Sequence, residues 1–413
     1  MATKYWLGTA DAVAQVDTVQ VTAYDAATTY ILTVGTITVS AVGNTSANQT
    51  ASDLSDAWNA STHPYFTGIT ASVATDTVTL TATTAGTAFT ASSSVTGGTG
   101  TIGSVTSSTS NSGPCDWSVA ANWSDGSIPG TGDTVIFSDS DVNVCYGLDQ
   151  NALALNDLFI EQTYTGKIGL NRMELHTTAD GETTNTAKTE YRDDYLRIDV
   201  DTIEIGKHIG IGSAIGSGRL KIDNTNTGAS TTRIFSTANV GAESNLSPVR
   251  FKTNSTTADF FIRGGSVGFA TDEPNETAIL GDLYINGTNT KVFMGSGCQI
   301  QTVVQTDGKS LIQSSTTVTS IDVLQGQMTI EGNFTVTDLT IEDGILIPNH
   351  DSGGNAITTL NINGGFVDGT RTSELRTWAT VNIAVGGSLK VNSDLVTMTT
   401  FNDPSGEYTM SIG

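Results

Sequence analysis

The chain has 413 residues, of which 44 are Gly, only 7% are aromatic and only 15% are charged, a composition typical of β-rich proteins and poor in strong helix formers. Its formal net charge of -24 repels phosphate and anionic lipid, which excludes direct nucleic-acid and membrane-surface binding from the expected functions. The start, MATKYWLGTADAVAQ, lacks the pattern of a secretory signal, and no later stretch resembles a membrane span. We therefore expect the protein to fold in the cytosol of the cell that makes it.

Residues 1–97 are predicted to form a small α+β module. Polar and apolar residues alternate over 18–41 and again in the stretch VTLTA, as they do in half-buried strands. Between these runs, the stretch TASDLSDAWNAS changes to helical spacing, which places Trp58 on a core-facing side. Thr50 or Ser52 is the expected N-cap of this helix, because a hydroxyl there could accept a free backbone N–H.

Residues 98–133 are rich in Gly, Ser and Thr and are predicted to form a linker that ends in a cap. Trp117 and Trp123 stand beside turn residues, where they could cover the open end of a stacked-coil core. A sugar-binding platform is the alternative role for these two tryptophans. The sequence also leaves open whether Cys115 and Cys145 pair after release from the cell or stay as buried free thiols.

Short strands that end in glycine recur through residues 134–413. Examples are DLYING, IDVLQG, DLTIEDG and LNINGG, in which pairs such as Leu360 and Ile362 would share one strand face. The strands end at intervals of 18 to 22 residues, the length of one β-solenoid coil, at Gly265, Gly287, Gly308, Gly326, Gly344, Gly365 and Gly387. Each glycine is expected to turn the backbone at a corner with positive φ. The predicted fold is mainly β, a right-handed parallel β-helix preceded by the small α+β module.

The polar segment 176–194 interrupts the repeats and is predicted to project from the shaft as an insertion loop. Its candidate ligand residues are Tyr191, Asp193, Asp194 and Tyr195, because paired carboxylates serve glycan-cleaving enzymes as acid and base, and aromatic rings stack on sugars. Ion pairing with nearby arginines is the simpler interpretation of these carboxylates. No catalytic residue is assigned.

Other candidate chemistry is sparse in the sequence. Asp139 and Asp141, in SDSDVN, could ligate Ca²⁺, but the stretch lacks the glycine and the distal glutamate of an EF-hand loop. The four histidines stand alone, without the spacing of metal ligands, and the glycine-rich GSAIGSG lacks the Lys-Ser/Thr ending of a phosphate-binding loop. We therefore expect no enzymatic activity and no cofactor, with Ca²⁺ as the one open exception.

Several stretches, taken in chain order, resemble a group of tailed-bacteriophage virion proteins. They are MATKYWLGTA, YILTVGTITVSAVG, ASDLSDAWNAS, ANWSDGSIPGTGDTVIF, CYGLDQ and the repeated TTLNINGG coils. The resemblance covers nearly the whole chain, but its motifs are structural and define no active site. It implies a β-helical protein on the virion surface, either a capsid decoration or head-fibre protein or a tail-associated fibre.

The expected function is therefore that of a non-enzymatic structural protein. The expected partners are the major capsid protein lattice or other virion proteins, and a homo-oligomer, a trimer by analogy with other solenoidal phage appendages, is expected. The N-terminal module and Trp6 are the expected contact sites. A tail fibre that binds a host surface glycan is the first alternative, and a polysaccharide depolymerase is the second.

Overall fold

The structure is a computed structural model that describes residues 2–169, 172–177, 183–190, 195–207, 219–237, 247–271, 276–349, 356–371, 375–403 and 411–412. Strands account for 52% of the residues and helices for 6%, which confirms the prediction of a mainly β fold. Most of the strands belong to one large parallel sheet, and the others form smaller sheets.

The first part of the chain contains both α-helices and nine strands within the described residues. In chain order these elements are β1 (Thr3–Tyr5), β2 (Val16–Ala23), β3 (Thr29–Val34), β4 (Ile37–Val42), α1 (Ala47–Ala60), α2 (Pro64–Thr67), β5 (Ile69–Ala74), β6 (Thr77–Ala82), β7 (Ala91–Thr96), β8 (Thr101–Ile102) and β9 (Thr106–Thr109). A single 3-10 turn follows at Ala120–Asn122.

The rest of the described chain is built from strands and their connections. They are β10 (Thr134–Phe137), β11 (Asp149–Glu161), β12 (Arg172–Thr177), β13 (Thr183–Glu190), β14 (Leu196–Lys207), β15 (Leu220–Asn224), β16 (Ser230–Ile234), β17 (Val249–Thr253), β18 (Ala258–Ile262), β19 (Ser266–Phe269), β20 (Ala278–Ile279), β21 (Asp282–Ile285) and β22 (Lys291–Met294). They continue as β23 (Cys298–Gln299), β24 (Thr302–Gln305), β25 (Lys309–Ile312), β26 (Val318–Val323), β27 (Gln327–Ile330), β28 (Val336–Ile341), β29 (Ile345–Pro348), β30 (Ile357–Ile362), β31 (Phe366–Gly369), β32 (Arg376–Ile383), β33 (Ser388–Val391), β34 (Val396–Asn402) and β35 (Ser411–Ile412).

Residues 13–112 form what we call the antiparallel unit. It contains a sheet in the order β5-β6-β2-β8, with β9 also paired to β2, and a second sheet in the order β4-β3-β7. Helix α1 packs against both sheets and buries Trp58, whose indole N–H donates to the carbonyl of Ile69 at 2.9 Å. The helix begins after Ser46, whose hydroxyl accepts the backbone N–H of Gln49 at 3.2 Å. The expected N-cap at Thr50 or Ser52 is therefore wrong.

The chain enters and leaves the antiparallel unit at the same place. Val13 and Ser112 form an antiparallel bridge, in which the Val13 N–H donates to the Ser112 carbonyl at 2.8 Å. Before this bridge, β1 pairs in parallel with β10, so the start of the chain belongs to the large parallel sheet. After residue 97, β8 and β9 pair with β2. These boundaries differ from the expected module at 1–97 and the expected linker at 98–133. The pairing of β1 with β10 and the pairing of β8 and β9 with β2 join segments that are distant in sequence, and local sequence patterns do not predict such contacts.

The large sheet contains 23 strands and follows a solenoid-like pairing. Strand β14 pairs with β15 through its first half and with β16 through its second half, which starts two tracks. One track continues as β18-β21-β24-β26-β28-β30-β32-β34, and the other as β17-β19-β22-β25-β27-β29-β31-β33-β35. Successive strands of the chain alternate between the tracks, so each coil stacks in parallel on the coil before it.

The interior of the parallel sheet is a continuous stack of apolar side chains. One inward column, in register from strand to strand, consists of Leu283, Val303, Ile321, Leu339, Leu360 and Val381, each 0% exposed. Each such residue contributes about 1.5–3 kcal/mol relative to an exposed side chain. The neighbouring column contains one polar residue, Gln305, whose amide donates to the carbonyl of Gly308 at 3.2 Å and accepts from the Ser310 hydroxyl at 2.6 Å. The expected inward position of Leu360 and Ile362 agrees with their burial.

The seven expected corner glycines fall into two groups. Five have positive φ: 85° at Gly265, 100° at Gly287, 90° at Gly308, 83° at Gly326 and 68° at Gly365. The other two, Gly344 and Gly387, do not, and the expectation of positive φ is wrong for them; at the last corner it is Gly386 that has φ 95°. Close backbone packing explains these two glycines, because an added Cβ would lie 3.0 Å from the Gly326 oxygen and 2.5 Å from the Ile362 oxygen, respectively.

The segment expected to be an insertion contains a separate hairpin. Within the described part of the chain, strands β12 and β13 pair only with each other, in antiparallel orientation, so they do not belong to either track. Within the described residues, no helix is long and apolar enough to cross a membrane.

Candidate functional site: the capped end and one lateral face

Three tryptophans close the N-terminal end of the parallel sheet. Trp6, Trp117 and Trp123 are each at most 1% exposed and belong to the same hydrophobic cluster as the solenoid interior. The ring centroids lie 5.1 Å apart for Trp6 and Trp123 and 4.7 Å apart for Trp117 and Trp123, both in edge-to-face geometry. Phe137 of β10 packs beneath them. This placement is what the capping interpretation requires of Trp117 and Trp123.

The burial of these tryptophans bears on two expectations. Trp6 cannot present its ring to a partner, so the expected contact role of Trp6 is wrong: its N–H donates to the Val142 carbonyl at 3.1 Å inside the cap. The alternative sugar platform fails for Trp117 and Trp123 for the same reason, since an enclosed ring offers no face to a sugar. The sequence could not place Trp6, because the β1–β10 pairing joins the ends of a long intervening segment.

A pair of cysteines lies beside the cap. Cys115 and Cys145 are both partly exposed free thiols, and the backbone N–H of Cys145 donates to the Cys115 carbonyl at 2.8 Å. A hydrogen bond from the Cys145 side chain lowers the pKa of Cys115 to about 7, because it stabilises the thiolate. The same bond raises the pKa of Cys145, and burial raises it further. The two thiols thus behave as one interacting pair.

The outward side chains of the β16-to-β34 track form what we call the lateral face. In register along it lie Arg233, Phe261, Tyr284, Val304, Asp322, Thr340, Asn361, Asn382 and Asn402. Its last three residues form an amide ladder, in which Asn402 donates to Asn382 and Asn382 donates to Asn361, each at 2.8 Å. Hydrogen-bonding groups therefore repeat from coil to coil along this face.

Two aromatic rings stack near the first end of the lateral face, beginning one coil after Arg233. Phe261 and Tyr284 are parallel within 1° with centroids 4.7 Å apart, and the Arg233 guanidinium lies 5.7 Å from the Phe261 centroid. Beside them is a depression of about 200 Å³, lined also by Arg263, Asn286 and Thr306 among others. Neither ring was among the residues expected to bind a ligand, although their outward positions in DFFIRGG and DLYING could have identified them.

Carboxylates accompany the rings. The Tyr284 hydroxyl donates to Asp282 at 3.4 Å, and burial together with Asp282 and Asp259 raises the pKa of Tyr284. Farther along the column, burial and the nearby carboxylates of Glu342 and Asp338 raise the pKa of Asp322. This part of the face combines flat apolar rings with acidic hydrogen-bond acceptors.

The candidate ligand residues of the insertion are placed only in part. Tyr191, Asp193 and Asp194 lie outside the described residues. Tyr195 is 3% exposed, and the Lys252 ammonium lies 4.2 Å from its ring centroid, so its expected role as an exposed sugar-stacking face is wrong. The ring instead packs inside the protein against lysine.

The nearby charged residues form ion pairs along the track that contains β15 and β17. Arg197 lies 3.3 Å from Asp149 and 3.5 Å from Asp223, on the neighbouring coils on either side. Lys252, on β17, forms a further ion pair with Glu276 at 2.8 Å. Arg197 thus pairs with carboxylates of the neighbouring coils, whereas Asp193 and Asp194 lie outside the described residues, so the ion-pair interpretation of those two carboxylates stays a prediction.

The expected Ca²⁺ ligands are part of the described chain. Asp139 has φ 47° and its N–H donates to the Thr163 hydroxyl at 3.0 Å, which places it in a tight turn after β10. Among the described residues, no group of three or more His, Cys, Asp or Glu side chains converges to hold a metal ion. Asp139 and Asp141 alone thus supply fewer ligands than the 6–8 oxygens that Ca²⁺ prefers.

No protein-family model matches the chain, and no curated protein matches it.

Proposed function

We propose that the protein is a non-enzymatic structural component of a tailed-phage virion that decorates the capsid surface as an oligomer, most simply a trimer. The observation that carries the proposal is the uninterrupted apolar stack, which runs from the tryptophan cap to Val396 as one cluster. Stacked coils with a shared core make a stiff projection whose strand edges are covered. The resemblance of several sequence stretches to phage virion proteins supports the proposed location on the virion. The proposal also includes the type of solenoid that the coils form.

We assign the coils to a right-handed parallel β-helix. Crossover connections between parallel strands of one sheet are right-handed in about 98% of proteins, because the strand twist favours that hand. The antiparallel unit, which has its own hydrophobic cluster around Trp58, would then serve as the anchor on the shell. Its partner would be the major capsid protein lattice or another virion protein.

Electron microscopy of intact particles tests the location. Gold-labelled antibody fragments against the protein are expected to cover the head lattice at regular spacing. Label confined to the tail tip would contradict capsid decoration and would favour the tail-fibre alternative. The oligomeric state of the purified protein, measured by light scattering, is expected to be trimeric.

Particle heating tests the stabilising role. Binding of many copies to the assembled shell would stabilise it, since only the assembled lattice offers the site. Particles that lack the protein are therefore expected to release their DNA at a lower temperature than decorated particles. An unchanged release temperature would show that the protein is carried on the capsid surface without stabilising the capsid.

Saccharide binding on the lateral face is a second candidate function, favoured by the Phe261–Tyr284 stack. Aromatic rings flanked by carboxylates and amides suit the apolar face and the hydroxyls of a sugar ring. The Tyr284→Ala variant is expected to lose at least about tenfold in affinity for whichever sugar a glycan array retains, a loss of 1.4 kcal/mol. Val385→Ala, a change at a 75% exposed residue outside this stack, is the matched control.

The array also separates the alternatives. If the wild-type protein retains no glycan at millimolar concentration, the saccharide proposal falls and the structural proposal remains. Cleavage of a retained glycan would instead favour the depolymerase alternative.

A further inference from the structure

The cysteine pair occupies the junction between the antiparallel unit and the parallel sheet. Cys115 comes shortly after Ser112, where the chain leaves the antiparallel unit, and Cys145 lies between β10 and β11. Asp116 and Tyr146 form a parallel bridge, in which the Trp117 N–H donates to the Tyr146 carbonyl at 3.0 Å. The residues just before this bridge, Cys115 and Cys145, are therefore direct neighbours on two bridged backbone segments, and the N–H groups of Cys145 and Tyr146 both donate to the Cys115 carbonyl, at 2.8 and 3.1 Å.

This geometry suits a disulfide. Backbone segments joined by a parallel bridge run about 4.8 Å apart, as neighbouring strands do, and this spacing is within the roughly 4.4–6.8 Å between Cα atoms that a disulfide spans. The two side chains already contact each other through the thiol hydrogen bond, which brings the two sulfur atoms close together. Both residues are partly exposed, which gives a small oxidant access.

We infer that Cys115 and Cys145 form an intramolecular disulfide in an oxidising medium, and that this bond fastens the base of the antiparallel unit to the first coils of the parallel sheet. The oxidant is a small-molecule disulfide, such as oxidised glutathione. The Cys115 thiolate attacks one sulfur of the oxidant and releases one glutathione thiolate. Cys145, after losing its proton, attacks the Cys115 sulfur of the mixed disulfide and releases the second glutathione, so two protein thiols are oxidised and one disulfide is reduced.

The bond would close a loop that contains two of the three tryptophans of the cap. Trp117, Trp123 and all of β10 lie between the two cysteines. A cross-link across such a segment lowers the conformational entropy of the unfolded chain and so stabilises the folded one. The hydrogen bond between Tyr146 and the Thr87 side chain also ties the antiparallel unit to this place. Oxidation would therefore stiffen the junction between the two parts of the molecule, wherever the protein is located.

The third cysteine provides an internal control. Cys298 is 0% exposed, and its thiol donates to the Phe269 carbonyl at 3.3 Å. Burial raises the pKa of Cys298 to about 12. Its thiol is therefore expected to stay reduced in the folded protein under all the conditions of the test.

The experiment uses the full-length protein in glutathione buffers of increasing oxidising strength. Intact mass and peptide mapping after alkylation in denaturant are expected to show loss of two hydrogens, a Cys115–Cys145 cross-linked peptide and one alkylated thiol at Cys298. The oxidised protein is expected to unfold several degrees above the reduced protein, and dithiothreitol should reverse the shift. In Cys145→Ser, Cys115 is expected to stop at the mixed disulfide with glutathione.

Two results would overturn the inference. One is retention of both thiols, or of mixed disulfides alone, in the wild-type protein across the whole buffer series. The other is a cross-link that leaves the unfolding temperature unchanged, because the bond would then not restrain the junction. Both measurements are made on the wild-type protein, so a failure of Cys145→Ser to fold does not weaken the test.

Discussion

The corner glycines act at the scale of single residues, and Gly365 combines both of their constraints. Its φ is 68°, and an added Cβ would lie 2.5 Å from the Gly344 oxygen of the neighbouring coil. We expect Gly365→Ala to lower the free energy of unfolding by about 2–3 kcal/mol, because both the backbone strain and the clash must be relieved. Denaturant titration followed by tryptophan fluorescence measures this loss.

Gly130→Ala is the matched control for Gly365→Ala. Gly130 does not have positive φ, and the nearest atom to an added Cβ is 3.8 Å away, an ordinary contact. This variant is expected to stay within about 0.5 kcal/mol of wild type. Equal effects at the two positions would show that corner geometry does not set the stability of the stack.

The thiol of Cys115 is expected to be reactive near neutral pH. Its pKa of about 7 arises mainly from the hydrogen bond of Cys145, and the thiolate is the form present above that pKa. Iodoacetamide should therefore alkylate reduced Cys115 about tenfold faster at pH 8 than at pH 6. In Cys145→Ala the donor is lost, so the midpoint of the rate profile is expected to move upward. A midpoint that stays in place would mean that the hydrogen bond is not its cause.

At the scale of elements, helix α1 depends on a cap that the sequence left ambiguous. The Ser46 hydroxyl satisfies one of the free N–H groups of the first turn, whereas the Thr50 hydroxyl donates to the Ser46 carbonyl at 2.9 Å from within the helix. We expect Ser46→Ala to destabilise the antiparallel unit by about 1 kcal/mol. Ser52→Ala, in the helix interior, should change stability by less than about 0.5 kcal/mol. Thermal unfolding monitored by circular dichroism compares the two, and equal losses would remove Ser46 from its capping role.

The sequence could predict the elements that depend on local signals, but not those that depend on the folded backbone. Strands such as Ile357–Ile362 follow from period-two alternation and from the glycine after them, both of which are local signals. The cap of α1 was missed because Ser, Thr and Asn occur at several neighbouring positions, and only the folded backbone decides among them. The outward positions of Phe261 and Tyr284 could be read from their repeats, but the contact between the two rings depends also on the register between coils, which the spacing of the repeats does not fix.

At the scale of the whole molecule, residues 13–112 form a unit that is inserted in sequence between β1 and β10 of the parallel sheet. Strand β1 and the cap lie on opposite sides of residues 13–112 in sequence, but they belong to one hydrophobic cluster with the coils. Residues 13–112 bury a separate cluster around Trp58. No local sequence pattern predicts the pairing of residue 3 with residue 134. The first residues were therefore assigned to the N-terminal module, whereas they pair with the parallel sheet.

This architecture predicts that the antiparallel unit can be removed without breaking the coils. Because Val13 and Ser112 are bridged, a short Gly-Ser linker can replace residues 14–111 and join the two ends. We expect the shortened protein to keep its strand-rich circular dichroism spectrum and the emission of its buried tryptophans, since Trp6, Trp117 and Trp123 remain packed. If the antiparallel unit is the anchor, the shortened protein should no longer bind particles that lack the wild-type protein, whereas the full-length protein should rebind them. Rebinding by the shortened protein would move the anchor to the coils, and loss of the strand signal would show that the coils need the inserted unit to fold.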